Sequence, residues 1–300
     1  MKTRRMVTNA VVYLILGVSS IIWLAPIVWL VLQSFSGAPG YTDMYRLFPT
    51  SFTFDNYISL FANAGGGFTH LFTGSSAGGA IYYTDYYAVW FFNTLVVALV
   101  TCLVSTILVL CTSYAFSRLR FKARQGMMKF ILVLGMFPGF LSMIILYQVL
   151  GLIGLKQSLF GLILCYVGGA GMGYFISKGF FDTISRSIDE AAMIDGASRF
   201  QIFYMIIMPL AKPIVVYTIL TAFMGPWGDY ILSSYLLGDA MQNYTVSVGL
   251  YKMINQQQDM AIYWKEFCAG SVLVALPISL LFIFMQKFYV SGITGGAVKG

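Results

Sequence analysis

Uncharged apolar runs recur along the chain near residues 9–33, 88–114, 130–151, 158–177, 208–229 and 267–286. About 20 apolar residues cover the hydrocarbon core of a bilayer. Each run therefore predicts a transmembrane helix, and the chain an all-α integral membrane protein of six spans. The fifth span is the tightest, because Lys212 near its start and Asp229 near its end enclose only 16 uncharged residues. Lys212 can snorkel along its aliphatic stem, and Asp229 falls near the opposite interface, where a carboxylate costs far less than at mid-membrane. The first run follows a basic start, Met1 to Arg5, and extends over residues 7–32, about 26 in all. That is longer than a secretory signal core, and no small-residue cleavage site follows it, so a retained span is expected.

Between the runs lie an outer loop at 34–87, a polar loop at 178–207 and a tail at 287–300, within a single membrane domain, 1–300. Lys and Arg set the orientation. Lys2, Arg4, Arg5, Arg118, Arg120, Lys122, Arg124, Lys129, Lys178, Arg186, Arg199, Lys212, Lys287 and Lys299 fall on one side, 14 of the 18 basic residues. The positive-inside rule then places both termini and the polar loop in the cytoplasm. Pro26, Pro138–Gly139, Gly225–Pro226 and Pro277 interrupt spans, which neighbouring helices can tolerate by satisfying the freed backbone groups. Gly169 and Gly173 stand at G-x-x-x-G spacing. They permit close helix approach, or else mark a locally unwound helix lining a substrate path. Tyr82, Tyr83, Tyr86 and Tyr87 read as an interfacial belt. The Gly-rich stretches of the outer loop, 65–67 and 74–79, suit either a partner-docking surface or a mobile insertion.

Composition narrows the class. The chain is 59% hydrophobic and 10% charged, against about 25% charged in soluble domains, too few charges to solvate a water-facing surface. The net charge of +7 follows from the inside loops and needs no nucleic acid. Cys102, Cys111, Cys165 and Cys268 lie in apolar runs without Cys-x-x-Cys spacing, and are read as small packing residues. His70 has no evident ligand partner, so no metal site is expected. No Gly-Lys dipeptide occurs, hence no G-x-x-x-x-G-K-[ST] phosphate loop. Any ATP-driven work must be done by another polypeptide, and no catalytic constellation is present within the spans.

Residues 178–212 form the one charged, helix-favouring segment between spans. Ser187 with Glu190 reads as a capping box, and Asp189 and Glu190 suit the positive end of the helix dipole. Ala191 and Ala192 would let the helix lie flush in a groove, and Gly196 would allow the chain to turn toward the fifth span. Glu190-Ala-Ala192, Gly196, Ile206 and Pro209 together give E-A-A-x₃-G-x₉-I-x-[LM]-P. This pattern resembles the cytoplasmic coupling loop of the membrane subunits of bacterial ATP-binding-cassette importers, with Met208 where Leu is usual. Three further stretches narrow the likeness to carbohydrate-type permeases such as the smaller membrane component of maltose importers. They are Phe48-Pro49 with Phe52 to Tyr57, Trp227-Gly-Asp-Tyr230, and the closing Gly292-Ile-Thr-Gly-Gly-Ala-Val-Lys-Gly300. Ser185 departs from a family Pro before the coupling helix, and the insertion near 64–86 is long.

The resemblance implies a type I importer bundle in a prokaryotic cytoplasmic membrane, moving a carbohydrate by alternating access. The implied partners are a second, different permease, two ATPase subunits that bind ATP and Mg, and an extracytoplasmic solute-binding protein. This chain would bind no cofactor. Asp189, Glu190, Ala191, Ala192, Asp195, Gly196 and Pro209 would couple to the ATPase. A flexible tail, through Thr294, Gly295, Gly296 and Lys299, would reach between the ATPase subunits. Gly169, Gly173, Trp227 and Asp229 are the candidates for the substrate path. The alternatives are an importer of the same build for a polyol or glycerol phosphate ester, an ion-coupled secondary transporter, and an intramembrane enzyme.

Overall fold

A computed structural model describes residues 2–39, 42–62 and 83–297. Among these the fold is all-α, with a lone bridge between Ser36 and Phe52 as the only β pairing. Its helices are α1 (Lys2–Ser34), α2 (Asp55–Ala62), α3 (Tyr83–Arg118), α4 (Arg124–Gly135), α5 (Gly139–Leu152), α6 (Leu159–Gly168) and α7 (Gly171–Thr183). They continue as α8 (Arg186–Ile194), α9 (Arg199–Leu210), α10 (Lys212–Gly228), α11 (Ile231–Leu237), α12 (Val246–Ile254) and α13 (Gln257–Ala297).

Three helical stretches are long and apolar enough to cross a membrane: Thr8–Ser34, Tyr83–Arg118 and Gln257–Phe288. Three bent pairs bring the number of possible spans to six: α4 with α5 at 101°, α6 with α7 at 40°, and α9 with α10 at 84°. The expected third span, 130–151, is thus not one rod. Pro138 sits extended at φ −58°, ψ 122°, and the two arms of 12 and 14 residues reach only about 18 and 21 Å at 1.5 Å per residue. The stretch expected as the fifth span, 208–229, is divided at Ala211, where an 84° bend separates α9 from α10.

The chain divides into two compact units, residues 1–88 with 249–275, and 89–248 with 276–300. In the first unit, the end of α1 is fastened to the segment that follows it. Gln33 donates to the carbonyls of Asp43 and Arg46, both at 2.8 Å. Asn56, at the start of α2, donates to the carbonyls of Ser34 and Ser36 at 2.9 Å. The buried Asp43 carboxylate accepts from Ser36 Oγ at 2.9 Å and from the Thr50 amide at 2.8 Å. Desolvation pushes this carboxyl up, but the Thr50 amide, the Ser36 and Thr50 hydroxyls and the Arg46 charge outweigh it and hold it below its usual value.

Tyr86 and Tyr87 are buried rather than part of an interfacial belt. Tyr87 donates to the Gly270 carbonyl at 2.9 Å, a partner a membrane-facing ring would lack. Gly270 is what permits this approach: a Cβ there would stand 2.8 Å from the Tyr87 ring and 2.7 Å from Leu250. Tyr82, His70 and the glycine stretches 65–67 and 74–79 lie outside the described residues.

Candidate functional site: a polar helical lever and a cavity at a helix break

The second unit carries both candidate regions. Its polar loop folds as two helices around a tight turn. Helix α8 starts at Arg186, one residue after Ser185, whose extended backbone (φ −59°, ψ 136°) and hydroxyl cap the Ser187 amide. The expected Ser187/Glu190 capping box does not form, because Ser187 is already inside the helix. A capping box forms instead on α9: the Ser198 amide donates to Gln201 Oε1 at 2.7 Å, and the Gln201 amide donates back to Ser198 Oγ at 3.3 Å.

Gly196 ends α8 with φ +84°. The Ala197 amide donates to the Ala192 carbonyl at 2.9 Å and the Gly196 amide to Met193 at 3.1 Å. That is the Schellman pattern, which needs a left-handed residue and so favours glycine. The turn expected at Gly196 is present. Helix α9 then widens into a π turn over Ile202–Ile207, immediately before Pro209. Proline lacks an amide hydrogen and crowds the carbonyl four residues back; the wider turn relieves both problems.

Helices α8 and α9 close on a small apolar core of Ala192, Ile202, Ile207 and Ala211 with Leu110, Phe181 and Ile214. The outer faces stay open: Glu190, Ala191, Asp195, Gly196 and Pro209 are exposed, and Ile194 is 87% exposed. Asp189 points elsewhere. Its Oδ2 lies 3.2 Å from Arg118 Nε, a charge contact short of hydrogen-bond alignment, and its Oδ1 has no hydrogen-bond partner. A cleft of about 590 Å³ opens beside the lever, lined by Arg118, Arg120, Arg186, Arg199, Asp189 and Glu190 among others.

A second cavity, about 280 Å³, lies where α6 breaks into α7. Gly169, Gly173, Tyr166, Thr101, Ser105 and Thr218 line it together with α10 residues. Gly173 has only ordinary contact with its neighbour, since a Cβ would sit 3.6 Å from Val109. Gly169 therefore caps the broken end of α6 and Gly173 lies in the first turn of α7 beside the cavity, without the close helix crossing that G-x-x-x-G spacing permits.

Trp227 and Asp229 do not line this cavity. Trp227 is 1% exposed and packs its ring against Phe91 and Phe223. The Asp229 carboxylate caps α11, accepting from the Leu232 and Ser233 amides at 3.2 and 3.0 Å, and receives the Tyr166 hydroxyl at 2.7 Å. Tyr166, Thr101, Ser105 and Arg118 were not singled out from sequence; each lies within or at the end of an apolar run, and only the fold gives it neighbours. Thr294, Gly295 and Gly296 fall in the last turn of α13, where the backbone is helical through Ala297 rather than a flexible tail. Lys299 lies outside the described residues. Among the described residues, no cluster of three His, Cys, Asp or Glu is placed to hold a metal.

Residues 108–295 match the family model described as binding-protein-dependent transport system inner membrane component. The chain is 35% identical, over its whole length and 98% of the relative, to the maltodextrin transport system permease protein MalD of Streptococcus pneumoniae. It is 36% identical, over its whole length and 99% of the relative, to the galactooligosaccharides transport system permease protein GanQ of Bacillus subtilis. Its fold resembles a crystal structure of a bacterial ABC transporter involved in the import of the acidic polysaccharide alginate. The TM-score is 0.72 at 21% identity, covering 95% of this chain and 97% of that one.

Proposed function

As the chain belongs to the binding-protein-dependent transport inner membrane components, a family of non-catalytic permease subunits, we propose that it forms one half of the path for an uncharged oligosaccharide. Its other half is a second, different permease, in six-span form with both termini in the cytoplasm. Two ATPase subunits, holding ATP and Mg, drive the pair of permeases, the α8–α9 lever of this chain sitting in an ATPase cleft, and a solute-binding protein delivers sugar from outside. Residues 287–300 contribute a further ATPase contact through Thr294, Gly295, Gly296 and Lys299.

The observation that carries this reading is the lever itself. Its inner face is fastened to the rest of the unit, while Glu190, Ala191, Ile194 and Gly196 are left open around a glycine-dependent turn. A helix whose apolar tip is exposed at the membrane's cytoplasmic edge fits a groove on a soluble partner. Nucleotide closure of the ATPases would move the lever and switch the path between inward- and outward-facing states.

The cavity bears on the cargo. None of its lining residues, from Thr101 to Pro226, is charged. Hydroxyls and aromatic faces suit a neutral sugar and offer nothing to neutralise a phosphate ester or an acidic polysaccharide. Uptake by the purified complex of a panel of maltooligosaccharides, galactooligosaccharides, polyols and glycerol phosphate esters tests this. The neutral oligosaccharides are expected to be carried, and uptake of the phosphate esters alone would overturn the assignment. For the lever, Glu190→Lys is expected to leave the protein inserted but to abolish substrate-stimulated ATP hydrolysis. Normal transport by that variant would sink the coupling role.

A further inference from the structure

The lever is tied to α3 by one residue in particular. Arg118 ends α3, and its side chain is 4% exposed. Its Nη2 donates to the carbonyls of Phe181 at 3.1 Å and Ile184 at 2.8 Å, at and just beyond the end of α7. Its Nε faces Asp189 of α8. Two neighbours reinforce the junction: Arg186 Nη2 donates to the Ser117 carbonyl at 3.2 Å, and Ser117 Oγ donates to Asp182 at 2.6 Å.

The apolar core beneath α8 and α9 also joins these helices, but burial is non-directional and leaves them free to slide. A planar guanidinium held by two carbonyls and a carboxylate fixes an angle. The angle matters because α3 runs unbroken from Tyr83 to Arg118. At 1.5 Å per residue, Val109, Ser105 and Thr101 lie about 14, 20 and 26 Å along it from Arg118, and all three line the cavity at the helix break.

We propose that Arg118, gripping Asp189 and the end of α7 together, is the positioning residue that passes lever motion into α3 and so into the cavity wall. This rests on the importer reading above. The junction is under-satisfied here: Asp189 Oδ1 has no hydrogen-bond partner, and the Nε contact is poorly aligned. Buried polar groups in a finished structure are nearly always paired. The Arg118–Asp189 pair therefore has a tighter arrangement within reach, a bidentate one in which Nη2 exchanges one of its two carbonyls for the carboxylate. Pressure on the exposed face of α8 would select it, and the two arrangements give the junction the two states that coupling requires.

The test uses the full complex of both permeases, the ATPase pair and the binding protein, reconstituted in proteoliposomes, with maltotriose as the first probe and a galactotriose as the second. The readout is ATP hydrolysed per sugar transported. Asp189→Asn, which keeps shape and loses charge, is expected to raise that ratio about tenfold, within the range typical of coupling energies. Arg118→Lys, which keeps the charge and loses the fork, should raise it less, and Asp189→Glu should restore it. A wild-type ratio in Asp189→Asn overturns the proposal. So does loss of the ATPase subunits from both the Asp189→Asn and Arg118→Lys complexes, since the pair would then serve only assembly. A wild-type complex whose hydrolysis ignores both sugars, yet responds to another class of solute, overturns the sugar reading instead.

Discussion

Two aspartates, Asp43 and Asp189, anchor two polar junctions that differ in completeness. Asp43 receives a backbone amide and two hydroxyls, and the segment around it is closed by Gln33 and Asn56 onto four carbonyls. Asp189 has one misaligned partner and one idle oxygen. In the first junction the carboxylate is fully engaged and only Gln33 Oε1 is left without a hydrogen-bond partner. In the second the carboxylate itself is left half-engaged, under a helix whose tip is exposed, which is where the proposed coupling would act.

The largest effect that would break this contrast is expected at Gly196. Pro cannot reach φ +84°, so Gly196→Pro should unmake the Schellman turn and abolish sugar-stimulated ATP hydrolysis. A variant that still couples would show the turn to be dispensable. Next comes Asp43→Ala, which orphans the Thr50 amide and should destabilise the fold by about 1–3 kcal/mol. Thermal unfolding of the detergent-solubilised complex measures it, and ATP per sugar should not change. Because folding lowers this carboxyl below its ordinary value of 3.8, its stabilising effect is present above that pH. It is lost as pH falls through the lower folded value. The smallest effect separates two neighbouring serines: Ser185→Ala should cost about 1 kcal/mol as a lost cap, Ser187→Ala under about 0.5 kcal/mol. The reverse order would reinstate the box expected from the sequence.

Much of the lever was legible because its signals are local. Gly196 announces a turn from chemistry confined to a few residues, whereas the π turn ahead of Pro209 emerged only with the fold. Helix starts are less secure: Ser185, Ser187 and Ser198 are all competent caps, and the neighbouring side chains, not the hydroxyls, decide among them. Arg118 was readable only as an inside charge, because its partners Phe181, Ile184 and Asp189 lie more than 60 residues away in the chain. Tyr87 looked like part of an aromatic belt for a similar reason, since Gly270, which makes room for its ring, is far off in sequence. Apolar length also made the third stretch look straight, as hydropathy is blind to the 101° bend at Pro138.

The order of residues alone determined that this is a helical membrane protein with a Glu-Ala-Ala segment between its apolar runs and no G-x-x-x-x-G-K-[ST] phosphate loop. Those properties are sums over short windows: apolar length, charge placement, a fixed spacing. Tertiary structure decided which carboxylates are sealed and which are left idle, where helices break beside the cavity, and that Arg118 joins α3 to the lever. Each of those depends on groups brought together from distant positions, whose energies exist only once the backbone has placed them within a few ångströms.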